Sequence, residues 1–360
     1  MKRIFISDCE GPISKNDNAF EITAHFVPNG DRLFTLISKY DDVLADVLKK
    51  PAYSAGGTLK LILPFLKAYG VTDRRMREFS AQNLILIANS KDTLQHVRAI
   101  ASAFIVSTSY EHYIKALCKA LDFPYENTFC TQLCIDKYSL TEQEKSRLKE
   151  IAREIVQMPL VNIPPMAKFL KDFSSTAQET IGRLDEIFWN EIGGMGLGEI
   201  FAEVNPVGGS QKAEAIETAV KRLRAPLEDV MYVGDSITDM EAFKLVRDNG
   251  GLTVSFNGNQ YAIKSAETAV LSENSIATAI VADLFCKRGK QQTLQVLENW
   301  NRRTLRRSAV SQPLLDRLFM LYPKALPKVQ IVTAKNMEML VKESSEFRKK
   351  VRGEAIGRLG

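Results

Sequence analysis

Apolar residues fall into two patterns along the chain, and each predicts its own kind of element. Ile4-Phe5-Ile6 are consecutive and apolar, and Asp8-Cys9-Glu10-Gly11-Pro12 cuts them off. Ala103–Ser107, Phe129–Ile135, Asp229–Val233 and Leu252–Phe256 repeat this form. Short uninterrupted runs suit strands buried on both faces, as in a parallel sheet covered by helices. Glu199–Val204 is expected as a further strand. Between the runs, apolar residues recur three or four apart, which predicts amphipathic helices. Those helices are expected over Asp31–Lys49, Thr58–Tyr69, Asp92–Ala101, Tyr110–Leu121, Glu142–Val156, Met166–Asn190, Lys212–Leu223, Asp239–Val246 and Ile276–Phe285. Strands alternating with helices predict an α/β fold with a doubly wound, Rossmann-like parallel sheet.

Composition narrows the class without changing the fold. The 360 residues are 45% hydrophobic and 25% charged, which excludes disorder as the main state. Five cysteines, an odd number without regular spacing, do not make a secreted disulfide scaffold. No apolar run approaches the roughly 18 residues of a membrane span. The opening segment is too polar for a signal peptide. A reduced, cytoplasmic protein is expected. His25, His96 and His112 are the three histidines and lie far apart, so histidine-centred chemistry starts poorly. Charge is uneven: 17 Lys/Arg against 6 Asp/Glu from Lys287 onward give +11, which leaves −6 on the rest of a chain whose total is +5.

Four polar clusters follow strands or open helices: Asp8 with Glu10, Ser107, Lys212, and Asp235 with Asp239. In parallel sheets, strand carboxyl ends share one edge, where ligands bind. Several acids at one point cannot all ionise without a counter-charge. Hard carboxylate oxygens suit Mg²⁺, with a phosphate adding oxygens, while Lys212 and Ser107 supply donors to an anion.

These clusters, in order, resemble the haloacid dehalogenase superfamily. Its pattern stands here as Phe5-Ile-Ser-Asp8-Cys-Glu10, Phe104-Ile-Val-Ser107, Gln211-Lys212 and Val233-Gly-Asp235-Ser-Ile-Thr-Asp239. Ala120-Leu-Asp-Phe-Pro-Tyr, Thr131–Asp136 and Gly251–Asn257 are similar to its phosphoserine-phosphatase-like group. The opening from Asp8 also resembles proteins labelled energy-converting hydrogenase A subunit R, a label that names no reaction. The superfamily resemblance implies that Asp8 is a nucleophile forming an aspartyl phosphate. It makes Glu10 the general acid and base. Ser107, Thr108 and Lys212 would hold phosphoryl oxygens. Asp8, Asp235, the Glu10 carbonyl and Asp239 would hold or orient Mg²⁺. Two departures stand out: Glu10 replaces the usual aspartate, and Pro12 the usual threonine or valine.

The implied organisation is a discontinuous core of residues 1–15, 89–137 and 200–286. A helical cap over 16–88 and a second helical insertion over 138–199 interrupt it, and a basic C-terminal extension covers 287–360. A cap excludes water and favours a small phosphorylated metabolite as substrate. The alternative is a regulatory or assembly subunit of a redox complex on the same scaffold. Gly193–Gly198 reads as a turn, Cys9, Cys130 and Cys134 as small hydrophobes, and His25, Arg74, Arg75 and Arg77 as surface residues. The extension carries Asn301–Arg307 and Phe347–Arg352, and Pro313–Leu321 and Val329–Val341 read as structured. It is expected to dock on the acidic body or bind an acidic partner; no nucleic-acid motif accompanies it.

Overall fold

The computed structural model describes residues 2–51 and 53–357. Among them, seven strands form one sheet: β1 (Ile4–Ser7), β2 (Ser102–Tyr110), β3 (Thr128–Thr131), β4 (Val230–Gly234), β5 (Leu252–Phe256), β6 (Thr268–Leu271) and β7 (Lys328–Ile331), in the order β3-β2-β1-β4-β5-β6-β7. All neighbours are parallel except β6 and β7. β1 lies at the centre, with Phe5 beside Ala103 of β2 and Met231 of β4.

The continuous apolar run of β1 is explained by its two covered faces. Phe5 joins a core with Leu94, Val97, Leu117 and Val281. Ile4 and Ile6 face the other way, into a core with Ile216, Phe243 and Val246. Strand side chains alternate, so neighbouring residues feed opposite helical layers. This is the doubly wound α/β arrangement, with helices inserted after β1 and β3.

The inserted helices share apolar surface. Gly30–Asp42 and Leu63–Ala68 come from the first stretch, and Glu142–Gln157 and Ser175–Asp185 from the second. Leu36, Ile37 and Phe65 lie in one core with Leu148, Ile151, Ile181 and Phe188.

Several expected elements differ. β3 stops at Thr131, because Leu133 and Ile135 turn into the core of the inserted helices. Met166–Asn190 becomes regular helix only from Ser175. The strand expected over Glu199–Val204 is instead a helical turn, Ile200–Glu203. Ile200 and Val204, four apart, are both buried, so the period there is helical. The helix expected over Ile276–Phe285 runs about one turn further, to Gly289, where φ is +74°, and a second helical stretch follows to Glu298.

The C-terminal extension is built into the fold. β7 adds a strand to the sheet edge, and helix Met337–Arg352 buries Leu340, Ser344, Arg348 and Val351 along one stripe. No helix among the described residues is long and apolar enough to cross a membrane.

Candidate active site

The site grows from the carboxyl end of β1. The Asp8 N–H donates to the Val233 carbonyl at 2.8 Å, which sets Asp8 beside the end of β4. One Asp8 carboxylate oxygen accepts the Cys9 N–H at 2.6 Å, and the other accepts Lys212 Nζ at 2.6 Å. Lys212 stands in the first turn of helix Ser210–Leu223 and is fully buried. Its ammonium also donates to Asp239 Oδ1 at 2.7 Å. Asp239 Oδ1 further accepts the Tyr232 hydroxyl at 2.6 Å, and its Oδ2 accepts the N–H groups of Asp235 and Ser236 at 2.8 and 2.9 Å. Asp239 is thus saturated and fixes both Lys212 and the loop carrying Asp235.

Asp235 has different partners. Its Oδ2 accepts from Arg348 and, at 3.0 Å, from Arg352 Nη1, both on the C-terminal helix. Gly11, at φ +103°, packs against this carboxylate so closely that a Cβ would stand 2.0 Å from Oδ2. Only glycine fits there, on both conformational and steric grounds. Glu10 Oε1 accepts the Asn18 N–H at 2.7 Å, in the first turn of helix Asn18–Phe26, whose N-cap is Asp17.

On β2, the Ser107 hydroxyl is buried and accepts the Ser109 N–H at 3.2 Å. The Thr108 and Ser109 hydroxyls are buried without hydrogen-bond partners among the described residues. Thr108 lines a cleft of about 100 Å³ with Asp8, Glu10, Asp235, Arg348 and Arg352. Asp41 and Asp42 of helix Gly30–Asp42 close it from the inserted side. Cys9 is in the core, while His25, Arg74, Arg75 and Arg77 are exposed. Cys130 is buried but Cys134 is exposed, so the expectation of two buried small hydrophobes holds only for Cys130.

Burial dominates the electrostatics. It pushes Asp8 up to about 7 against the attraction of Lys212, with Asp239 and Asp235 adding to the rise. Burial also raises Glu10 well above the carboxylate range, helped by Asp17 and opposed by the Asn18 N–H and Arg352. Burial therefore favours the protonated form of Glu10 relative to an exposed glutamate. Burial works against the Lys212 ammonium, yet Asp239 and Asp8 outweigh it and hold the group protonated. Asp239 is likewise raised by burial but held below the ordinary value by Lys212.

One oxygen each of Asp8, Asp235 and Asp239 lies within 4.8 Å of the others, a spacing and donor chemistry suited to a divalent cation. Much of the coordination is already taken, although Asp235 Oδ1 has no hydrogen-bond partner among the described residues. Lys212 takes Asp8 and Asp239, two guanidinium groups take Asp235, and Asp239 has backbone and tyrosine donors besides. As arranged, Asp235 Oδ2 and Asp239 are not open to Mg²⁺.

The structure brings Asp8, Glu10, Thr108, Lys212, Asp235 and Asp239 together. It adds Asp17, Tyr232, Arg348 and Arg352, which the sequence pattern missed. The signal for the arginines was their spacing: Arg348 and Arg352, four apart, share one helix face with buried Leu340 and Ser344.

No curated protein matches this sequence. A gene product of Archaeoglobus fulgidus shares the fold along its whole length, with a TM-score of 0.80, 26% identity, and coverage of 100% of this chain and 99% of that one. A phosphoserine phosphatase in apo form gives a TM-score of 0.47 at 13% identity, covering 81% of this chain and all of its own. A phosphoserine phosphohydrolase-like protein from Francisella tularensis gives 0.44 at 14%, covering 78% and 100%. The family model of haloacid dehalogenase-like hydrolases matches residues 87–288. With more than half of its length in that match, the chain belongs to the haloacid dehalogenase-like hydrolases.

Proposed function

We propose that the protein hydrolyses a small phosphomonoester, with Asp8 as nucleophile. The observation that carries this reading is the buried Asp8 carboxylate at the cleft, 2.6 Å from the Lys212 ammonium. In the first step an Asp8 oxygen bonds phosphorus as the ester P–O bond breaks. Glu10 gives its proton to the leaving oxygen, and an aspartyl phosphate remains. In the second, water attacks phosphorus, its proton passes to Glu10, and the Asp8–phosphorus bond breaks. Phosphoryl transfer is mostly positioning and charge neutralisation. Lys212 supplies one positive charge and Thr108 an unspent hydroxyl. Magnesium is implied by the family resemblance, but two guanidinium groups already stand at Asp235 Oδ2, and no step is routed through the metal.

The cleft supports a small substrate. Its volume is below the roughly 300–1,000 Å³ of pockets for larger ligands. Asp42 is paired with Lys39, and Asp41 leaves the inserted wall acidic, which favours a leaving group bearing an amine over one bearing a second anion.

The test is phosphate release from a panel of amino-bearing, neutral and dianionic phosphomonoesters. Turnover abolished by Asp8→Asn, with the fold retained, is expected. Turnover that survives this substitution would remove Asp8 as nucleophile. No release from any ester would leave a non-hydrolytic scaffold of the same fold.

A further inference from the structure

The basic C-terminal segment reaches the reaction centre, and its charge has a specific use there. We propose that Arg348 and Arg352 supply the positive charge at Asp235 that a divalent cation would otherwise bring, so that the site binds a phosphoryl anion without a metal. This inference rests on the phosphoryl-transfer reading of the site.

Charge is the first argument. Two guanidinium groups carry +2, the charge of one divalent cation. Arginine stays protonated even in dry sites and matches carboxylate and phosphate oxygens with several N–H donors. Both side chains are only 4% exposed. An arginine buried this deeply is costly unless paired, and Asp235 is the carboxylate it pairs with.

Anchoring is the second. Arg352 Nε donates to the Lys15 carbonyl at 3.0 Å, and another of its nitrogens to the Asn16 carbonyl. Arg348 Nη1 also donates to the Asp235 carbonyl at 3.2 Å. The arginines therefore clamp the segment leaving β1 to the loop leaving β4. The helix beneath them is fixed too. Leu340 is fully buried with Ile263, Ala269 and Leu271, and the Ser344 hydroxyl donates to the Gly258 carbonyl at 2.6 Å. Freeing Asp235 Oδ2 means lifting this helix from the core, so the pair is a built part of the site rather than a loose strap. The Archaeoglobus gene product, matched over essentially its whole length, shares the fold that includes this segment.

Unspent donors are the third. Arg348 lines the cleft, and its Nε–H is buried without a partner among the described residues. The Thr108 hydroxyl, on the same cleft, is equally unspent. Both are groups that a phosphoryl oxygen accepts from.

The experiment titrates the full-length protein with Mn²⁺, read by electron paramagnetic resonance, and with inorganic phosphate in EDTA, read by calorimetry. The wild type is expected to bind phosphate in EDTA and to bind Mn²⁺ no tighter than millimolar. The Arg348→Gln/Arg352→Gln variant uncovers Asp235 and should bind Mn²⁺ at least about tenfold more tightly and phosphate at least about tenfold more weakly. Should that variant fail to fold, Arg348→Lys keeps the charge but loses the fork: phosphate binding should weaken several-fold with Mn²⁺ still excluded. Micromolar Mn²⁺ binding by the wild type, lost in Asp235→Asn, would overturn the proposal. So would phosphate affinity in EDTA that neither variant changes. The underlying reading fails separately: an absence of ester turnover alongside the expected binding results leaves the arginine assignment standing. Turnover that requires Mg²⁺ and stops in EDTA keeps the phosphatase reading and sinks the arginines.

Discussion

Glu10 shows how one methylene changes what a site residue touches. Its carboxylate spans from the end of β1 to the Asn18 N–H, tying the reaction centre to the first inserted helix. Glu10→Gln keeps an oxygen for that N–H but loses the transferable proton. Turnover is expected to fall about 10²–10⁴-fold, the usual yield of general acid–base catalysis, with the melting temperature nearly unchanged. Unaltered steady-state turnover would remove Glu10 from proton transfer. At this scale the sequence was most readable where chemistry sits at a strand end. Asp8, Glu10, Lys212, Asp235 and Asp239 all follow apolar runs or open helices, and the fold brings them to one edge. The spacing of Arg348 and Arg352 did not by itself assign them to the site, for a physical reason. A charged residue in a buried stripe looks like solvated surface until its partner is known, and Asp235 lies 113 residues away from Arg348 in sequence.

Elements were read well where period and burial agreed, as for β1, β5 and helix Glu142–Gln157. They were misread where a short apolar pair fits both periods, as at Ile200 and Val204. Gly289 ends the helix that starts at Ile276, close to where the sequence pattern ended it. Asp283, fully buried on it, pins the extension. It accepts Lys287 Nζ at 2.8 Å, the Ser311 N–H at 2.8 Å and His96 Nε2 at 3.2 Å. Burial alone would raise its pKa, but His96, Lys287 and Ser311 reverse this and hold it at about 2. A folded value below the unfolded one stabilises the fold above the ordinary carboxylate range, and that contribution is lost as pH falls from about 4 toward 2. The shift corresponds to on the order of 2 kcal/mol. Asp283→Asn should therefore lower stability at pH 6 by about that amount and flatten the acid limb of denaturant-measured stability between about pH 4 and 2. An acid limb identical to the wild type's would exclude this role.

At the scale of the whole molecule, the second inserted stretch has a consequence at a distance. No described residue of 138–199 lines the cleft, yet its helices share a core with those that do. Tyr40 joins the two. It lies on helix Gly30–Asp42, which brings Phe34, Ser38, Asp41 and Asp42 to the cleft. Its ring stacks on Phe188 with centroids 5.7 Å apart. Its hydroxyl accepts Trp189 Nε1 at 2.8 Å and donates to Asp185. Tyr40→Phe keeps the ring and removes both hydrogen bonds, leaving an indole N–H and a carboxylate to find other partners. The cost should be about 1–3 kcal/mol, read as a melting temperature several degrees lower. Because the loosened helix carries the acidic wall but none of the reacting groups, KM should rise roughly threefold or more while kcat changes little, the signature of lost substrate binding rather than lost chemistry. A fall in melting temperature with KM unchanged would mean that the second stretch stabilises the fold without setting the cleft. A fall in kcat alone would mean that the wall positions Asp8 or Glu10, and not the substrate.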